Sequence, residues 1–219
     1  MNPLDPNPRP SPRAQELRGQ FVTLTPLDVE ADTPELFAAG NSTTEAQALW
    51  EFMPAGPFAD EVAFAAWARQ WEATSATIPF TVRLNETGAR VGMISIMRIE
   101  PRHGVAELGC IWYTPAVQRT PVNTEANFLL LRHLFGDLSY RRVEWKCDAR
   151  NERSRAAALR LGFTFEGLFR QHLIVKGRNR DTAWFSIIDA EWSTRRANFE
   201  RWLYTADSPP LSVLNQDRR

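Results

Sequence analysis

Residues 19–27 (GQFVTLTPL) alternate apolar and polar side chains and are rich in valine and threonine, the period of a half-buried strand. The segment 32–40 follows, with Asp32 as its capping residue and Pro34 near the first turn, which predicts a helix. Residues 60–74 place Val62, Phe64, Ala66, Trp67 and Trp71 at roughly helical spacing and predict a second one. Between them, Trp50, Phe52, Met53 and Phe58 load a proline-containing loop with more large apolar groups than a solvated loop carries. They either cover a core or line a substrate entrance. Residues 78–84, 89–99 and 105–113 then read as three strands joined by the turns NETG and RHG, an antiparallel meander.

Over residues 123–138 the period changes. Phe128, Leu131, Phe135 and Leu138 form one stripe that Leu130 and Leu134 broaden, as in a buried crossover helix. Residues 142–149 (RVEWKCDA) return to strand alternation, and 152–161 form a short helix closed by Gly162. A last strand pair is expected over 163–175 and 182–190, joined through the polar turn KGRNRD, before an amphipathic helix around 194–204. No internal repeat is visible. This order favours the α/β class, a mixed sheet covered by helices.

Composition narrows the picture. A chain of 219 residues with 43% hydrophobic side chains holds one substantial core. We expect a flexible arm over 1–17, where prolines alternate with polar residues, a single domain over 18–205, and a tail over 206–219. The 26 basic residues balance the 26 acidic ones, which gives no long-range attraction to nucleic acid or to a membrane surface, and neither partner is expected. No run approaches the ~20 apolar residues of a spanning helix, and the arm lacks a signal-peptide core, so a soluble cytoplasmic protein is expected. Cys110 and Cys147 have no paired spacing; they read as buried free thiols in a reducing compartment, and no metal site is expected.

One ordered combination is more specific. Residues 118–126, Asn151 with Ser154, and Leu161, Gly162 and Phe163 followed by Glu166 and Gly167 resemble the GCN5-related N-acetyltransferases, in the branch that includes the ribosomal-protein alanine N-acetyltransferases. The resemblance covers most of residues 18–190. It implies a central, mostly antiparallel sheet with a splayed strand pair, flanked by helices, and acetyl-coenzyme A as cosubstrate. The pantetheine arm would enter the splay as a pseudo-strand beside Cys110, Ile111 and Trp112, whose backbone would polarise the thioester carbonyl. The family's phosphate-binding loop has Gln or Arg, two variable residues, Gly, one variable residue, then Gly or Ala. Here the run is Gln118, Arg119, Thr120, Pro121, Val122, Asn123. Pro121 has no N–H to offer, and Asn123 brings a side chain to a position normally left open. Arg119 and the hydroxyls of Thr120 and Thr124 are the replacement donors, at a helix N-terminus suited to phosphate.

The resemblance also assigns chemistry. Asn151 and Ser154 would face the thiol end of the cofactor, Ser154 as the acid that protonates the departing thiolate, although Asn151 is equally explained as a helix cap. An amine acceptor must be neutral to attack, and a peptide α-amino group titrates near ~8, so a base or water relay is required. Glu107 in AELGC matches a recurring acidic position, as base or as a salt-bridged strand residue. Its segment is one residue longer than the common spacing, and a one-residue slip reverses the face. His172, Arg180 and Asp181, the last two in the expected turn, are the acceptor-binding candidates, with a hydrogen-bonded strand histidine and solvated charges as the simpler alternatives. The acceptor would be a peptide N-terminus or a small amine. A homodimer would use the aromatic-rich hairpin or the C-terminal helix with Trp192, Phe199 and Trp202. The competing reading is an acetyl-coenzyme A binder without catalysis.

Overall fold

The computed structural model describes residues 6–216; the expectations for 1–5 and 217–219 lie outside the described residues. One eight-stranded sheet runs in the order β1-β2-β3-β4-β5-β6-β8-β7. Its strands are β1 (Leu17–Arg18), β2 (Val22–Pro26), β3 (Ile78–Leu84), β4 (Arg90–Glu100), β5 (Val105–Tyr113), β6 (Arg142–Asp148), β7 (Thr164–Val175) and β8 (Arg178–Ile188). Among the described residues only β5 and β6 pair in parallel; every other ladder is antiparallel. The helices are α1 (Val29–Asn41), α2 (Thr44–Gln47), α3 (Glu61–Glu72), α4 (Pro121–Leu131), α5 (Glu152–Arg160), α6 (Asp189–Tyr204) and α7 (Leu211–Leu214). The expected mixed sheet flanked by helices is the observed architecture. Among the described residues no helix is long and apolar enough to cross a membrane.

Helix α4 is the crossover between the two parallel strands, and its positions 124–131 are all buried, as a helix packed between a sheet and other helices requires. It begins at Pro121, with Thr120 as cap, and continues as a π-helical stretch, Arg132–Asp137. Phe128 stacks on Phe199, and Phe135 on Trp192, both from α6. Trp192 and Phe199 of α6 therefore belong to the core, while Trp202 packs against it half-buried. A cluster of exposed apolar groups lies on β7, at Phe165, Leu168, Phe169, Leu173 and Ile174.

On the opposite face α1 and α3 cover β4 and the end of β5. Trp50, Phe58, Phe64, Trp67 and Trp112 meet there edge to face or tilted, with ring centroids 5.0–6.5 Å apart. Trp50 is fully buried and donates Nε1–H to Gly40 O at 2.7 Å, so the aromatic loop is chiefly a core cover. In α3 the buried side is Phe64, Ala65 and Ala68, while Val62 projects into solvent, contrary to its assignment to the apolar stripe.

Three boundaries differ from the sequence reading. Asp28 and not Asp32 caps α1. Asp32 lies inside the helix, buried, where Arg90 of β4 pairs with it and Thr81 Oγ1 donates to it at 2.5 Å. The KGRNRD segment is not a six-residue turn. Only Lys176 and Gly177 turn, both with positive φ, and β8 already begins at Arg178. Helix α6 starts at Asp189, because Glu191 reaches back to the Ile188 amide at 3.0 Å.

Candidate active site

The β5–β6 ladder is short. It pairs Val105, Ala106 and Glu107 with Arg142, Val143 and Glu144 and then stops. Beyond that point β5 stays bound to β4, and β6 to β8, so the two strands separate with a backbone edge on each side of the gap. The expected splayed pair is therefore present. Cys110 adopts φ 50°, and the β4–β5 register shifts between Met93 opposite Trp112 and Ser95 opposite Gly109. This bulge at Cys110 and Ile111 takes up the extra residue noted in the sequence and bends the strand at the gap.

Adjacent residues on β6 face opposite sides of the sheet, and this divides the candidate chemistry. On the α4–α5 side, buried Trp145 donates Nε1–H to Ser154 Oγ at 3.0 Å. Asn151 Oδ1 accepts from the Ser154 amide at 3.0 Å and caps α5, as foreseen. Because Trp145 occupies the serine oxygen as acceptor, the hydroxyl proton is directed elsewhere; the Cys147 thiol, its pKa raised by burial, is a hydrogen-bonding neighbour. On the other side, Lys146 Nζ meets Glu107 at 2.9 Å and Glu144 at 2.7 Å and lies 3.9 Å above the Trp184 ring. Arg98 Nε reaches Glu107 at 3.1 Å. Burial pushes the Glu107 carboxyl above the usual carboxylate range, while Lys146 and Arg98 pull in the opposite direction. Glu107 and Ser154 therefore stand on opposite faces of the sheet, at the apex of the gap and along its β6–α5 wall.

The loop before α4 also departs in detail from expectation. Thr120 Oγ1 donates to Val117 O at 2.6 Å and serves as the helix cap. The Thr124 hydroxyl is wholly buried and accepts from Arg160 Nη1 at 2.9 Å. The Thr120 proton is thus committed to Val117, and the Thr124 hydroxyl is enclosed beside Arg160. Asn123 Oδ1 accepts from Asn127 at 2.9 Å, so its side chain is turned along the helix, away from the loop. Val122 is buried. Gln118 donates to Tyr113 O at 3.3 Å. Arg119 is exposed and holds φ 63°, a left-handed conformation costly for a residue with a side chain.

The acceptor candidates separate as well. His172 Nδ1 is 3.0 Å from Thr182 Oγ1, and its ring packs near Phe169 and Trp184. Arg180 lies on β8 two residues before Thr182, on the side of Trp184 and Lys146. Asp181 faces the other way: its carboxylate accepts from the Gln171 amide at 2.7 Å and Asn179 Nδ2 at 2.9 Å. It fixes the irregular stretch of β7 and does not cluster with Arg180. At the hairpin tip Lys176 Nζ donates to Trp50 O at 2.7 Å and Gly56 O at 2.6 Å, tying the hairpin to the aromatic loop. The sequence reading passed over Trp145, Lys146 and Trp184. The alternation in RVEWKCDA carries the signal for the first two, since it puts a tryptophan and a lysine on opposite faces of a strand beside the gap.

Among the described residues no group of His, Cys, Asp and Glu side chains is placed to hold a metal ion. The gap, the helix N-terminus beside it and the serine along its wall fit a long thioester with a phosphorylated end.

The chain belongs to the acetyltransferase (GNAT) domain family, which it matches over residues 22–164. Its fold is that of a GCN5-related N-acetyltransferase crystal structure from Brucella melitensis, with TM-score 0.90 and 39% identity over 95% of this chain and 97% of that one. It is 36% identical over 81 residues to the ribosomal-protein-serine acetyltransferase of Escherichia coli (strain K12), covering 37% of this chain and 45% of the relative. It is also 32% identical over 105 residues to YdaF of Bacillus subtilis (strain 168), whose name places it provisionally among ribosomal N-acetyltransferases; that match covers 48% of this chain and 57% of the relative. The chain thus spans about half the length of these two relatives.

Proposed function

We propose that the chain transfers an acetyl group from acetyl-coenzyme A to an amine within a ternary complex, with a protein N-terminal α-amino group as the leading acceptor. The observation that carries this reading is the end of the β5–β6 ladder at Glu107 and Glu144, which leaves strand edges for an extended ligand. Coenzyme A, when bound, supplies an activated acyl group; Gln118, Arg119 and the first amides of α4 would hold its phosphates, and the backbone of 110–112 would orient it. Ser154 would give its proton to the departing sulfur. Glu107 would draw the proton from the amine, directly or through water, on the face where His172 and Arg180 would contact the acceptor. An assay of free thiol release over a panel of peptides and amines tests the reading. Binding of coenzyme A with no thiol release for any acceptor would favour the second reading, a binder without catalysis, which Pro121 in the phosphate loop prompts.

Two outcomes follow from the site. Glu107→Gln is expected to move the pH dependence of the reaction upward, since the amine must then lose its proton without that carboxylate; an unchanged profile would leave Glu107 only its ion pairs. Arg119→Ala is expected to weaken acetyl-coenzyme A binding by roughly tenfold or more, as loss of a charge-assisted hydrogen bond does, while binding of pantetheine, which lacks the phosphates, stays the same. Calorimetry with both ligands decides it, and no loss for either would make Arg119 a solvated surface charge.

A further inference from the structure

Among the described residues, no carboxylate pairs with the largely buried guanidinium of Arg160, at the end of α5. Two other partly buried arginines do have one: Arg90 pairs with Asp32 and Glu35, and Arg142 with Glu144 and Glu166. Among the described residues Arg160 has instead one side-chain hydrogen bond, Nη1 to Thr124 Oγ1 at 2.9 Å, and lies 6.0 Å from the Trp202 ring centroid. Burial pulls its pKa down, the sign of a charge stripped of water without an anion to offset the loss. The Tyr113 hydroxyl, close enough to interact with that charge, is enclosed and has no hydrogen-bond partner. A positive group in such surroundings destabilises the protein on its own, and an anion would offset that cost.

Its location says which anion. Thr124 is four residues past Thr120, the cap of α4, so the two lie on one side of the helix about 6 Å apart along its axis. Arg160 thus stands one turn below the loop that faces the phosphates in the proposed function, between α4 and α5. Pro121 removes a backbone donor from that loop, and the Thr120 hydroxyl proton is committed to Val117 O. We propose that Arg160 is a cofactor-binding residue that contacts a phosphate of coenzyme A and supplies a donor in place of the N–H that Pro121 removes from the loop. Tyr113 stands beside it as a second donor. The inference rests on the acetyltransferase reading and extends it to a residue outside the loop motif.

The test compares the wild-type protein with Arg160→Met and Arg160→Lys. Calorimetry would use coenzyme A, dephospho-coenzyme A, which lacks the 3′-phosphate, and pantetheine, which lacks all phosphates. Arg160→Met is expected to bind coenzyme A roughly tenfold or more weakly, with pantetheine affinity unchanged and with partial recovery in Arg160→Lys. A loss that persists with dephospho-coenzyme A assigns the contact to the pyrophosphate, and a loss that vanishes there assigns it to the 3′-phosphate. Thermal unfolding without ligand separates this from a structural role. The melting temperature of Arg160→Met should hold or rise, because an unpaired buried charge has been removed. A clear fall in melting temperature, unchanged coenzyme A affinity, or equal losses for pantetheine would each overturn the inference. If the wild-type protein itself binds no coenzyme A, the acetyltransferase reading fails and the inference with it.

Discussion

Glu125→Ala is expected to destabilise the folded protein by about 3 to 5 kcal/mol, the range for removing one partner from a buried charged network. Glu125 is completely buried in α4, yet it is a carboxylate. Its oxygens accept three consecutive amides at the start of β2, Gln20 at 2.8 Å, Phe21 at 2.7 Å and Val22 at 2.8 Å, and the Tyr204 hydroxyl at 2.9 Å. A side chain on Gly19 would collide with that carboxylate, which makes glycine the residue that admits it. Alanine would leave three amide donors without that acceptor, the Val22 amide fully buried, and cut the tie between the sheet's first strands, its central helix and α6. Glu125→Gln, which keeps the shape but turns one oxygen into a donor, should show a smaller but clear loss. Equilibrium denaturation in urea measures both, and a change below about 1 kcal/mol for alanine would show that water satisfies those amides instead.

Ser154→Ala is expected to lower turnover by about 10²- to 10⁴-fold, the range for losing a positioned proton donor, while cofactor affinity changes far less. The reason lies in the orientation of the hydroxyl: the Trp145 indole donates to the serine oxygen, which directs the serine proton away from the tryptophan. The proton is needed only as the carbon–sulfur bond breaks, so its loss raises the barrier without loosening the ground state. Trp145→Phe, which keeps the ring and removes the N–H, should lower turnover by a smaller factor with thermal stability nearly preserved. Unchanged turnover in Ser154→Ala would remove Ser154 from the acid role and leave its capped amide as its contribution.

Local patterning made most of the fold legible. The meander of β3, β4 and β5 and the long apolar crossover helix rest on periodicities that neighbouring residues reinforce, and they appear where the chain predicts them. Two features hidden from the sequence involve polar groups whose partners are distant. Asp32 resembles a cap, and only the approach of Arg90 from β4 explains its burial inside the helix. Glu125 looks like a single charge in an apolar helix, and nothing nearby in sequence announces the three amides it holds. The site divides in the same way. The Asn151 cap is readable because capping is local, whereas the opposition of Ser154 and Glu107 across the sheet depends on where the β5–β6 ladder ends. Arg180 and Asp181 were grouped by sequence proximity, but strand alternation sends neighbours to opposite faces.

The central claim, direct transfer of an acetyl group to an amine, is tested most directly by intact-mass spectrometry of the protein incubated with acetyl-coenzyme A, first alone and then with a peptide bearing a free N-terminus. The account predicts that the protein alone stays unmodified and that, once the peptide is added, one acetyl group appears on its α-nitrogen with stoichiometric release of coenzyme A. An acetyl group held covalently on the protein before any acceptor is present, or acetyl-coenzyme A that stays intact across peptides and small amines alike, would contradict it.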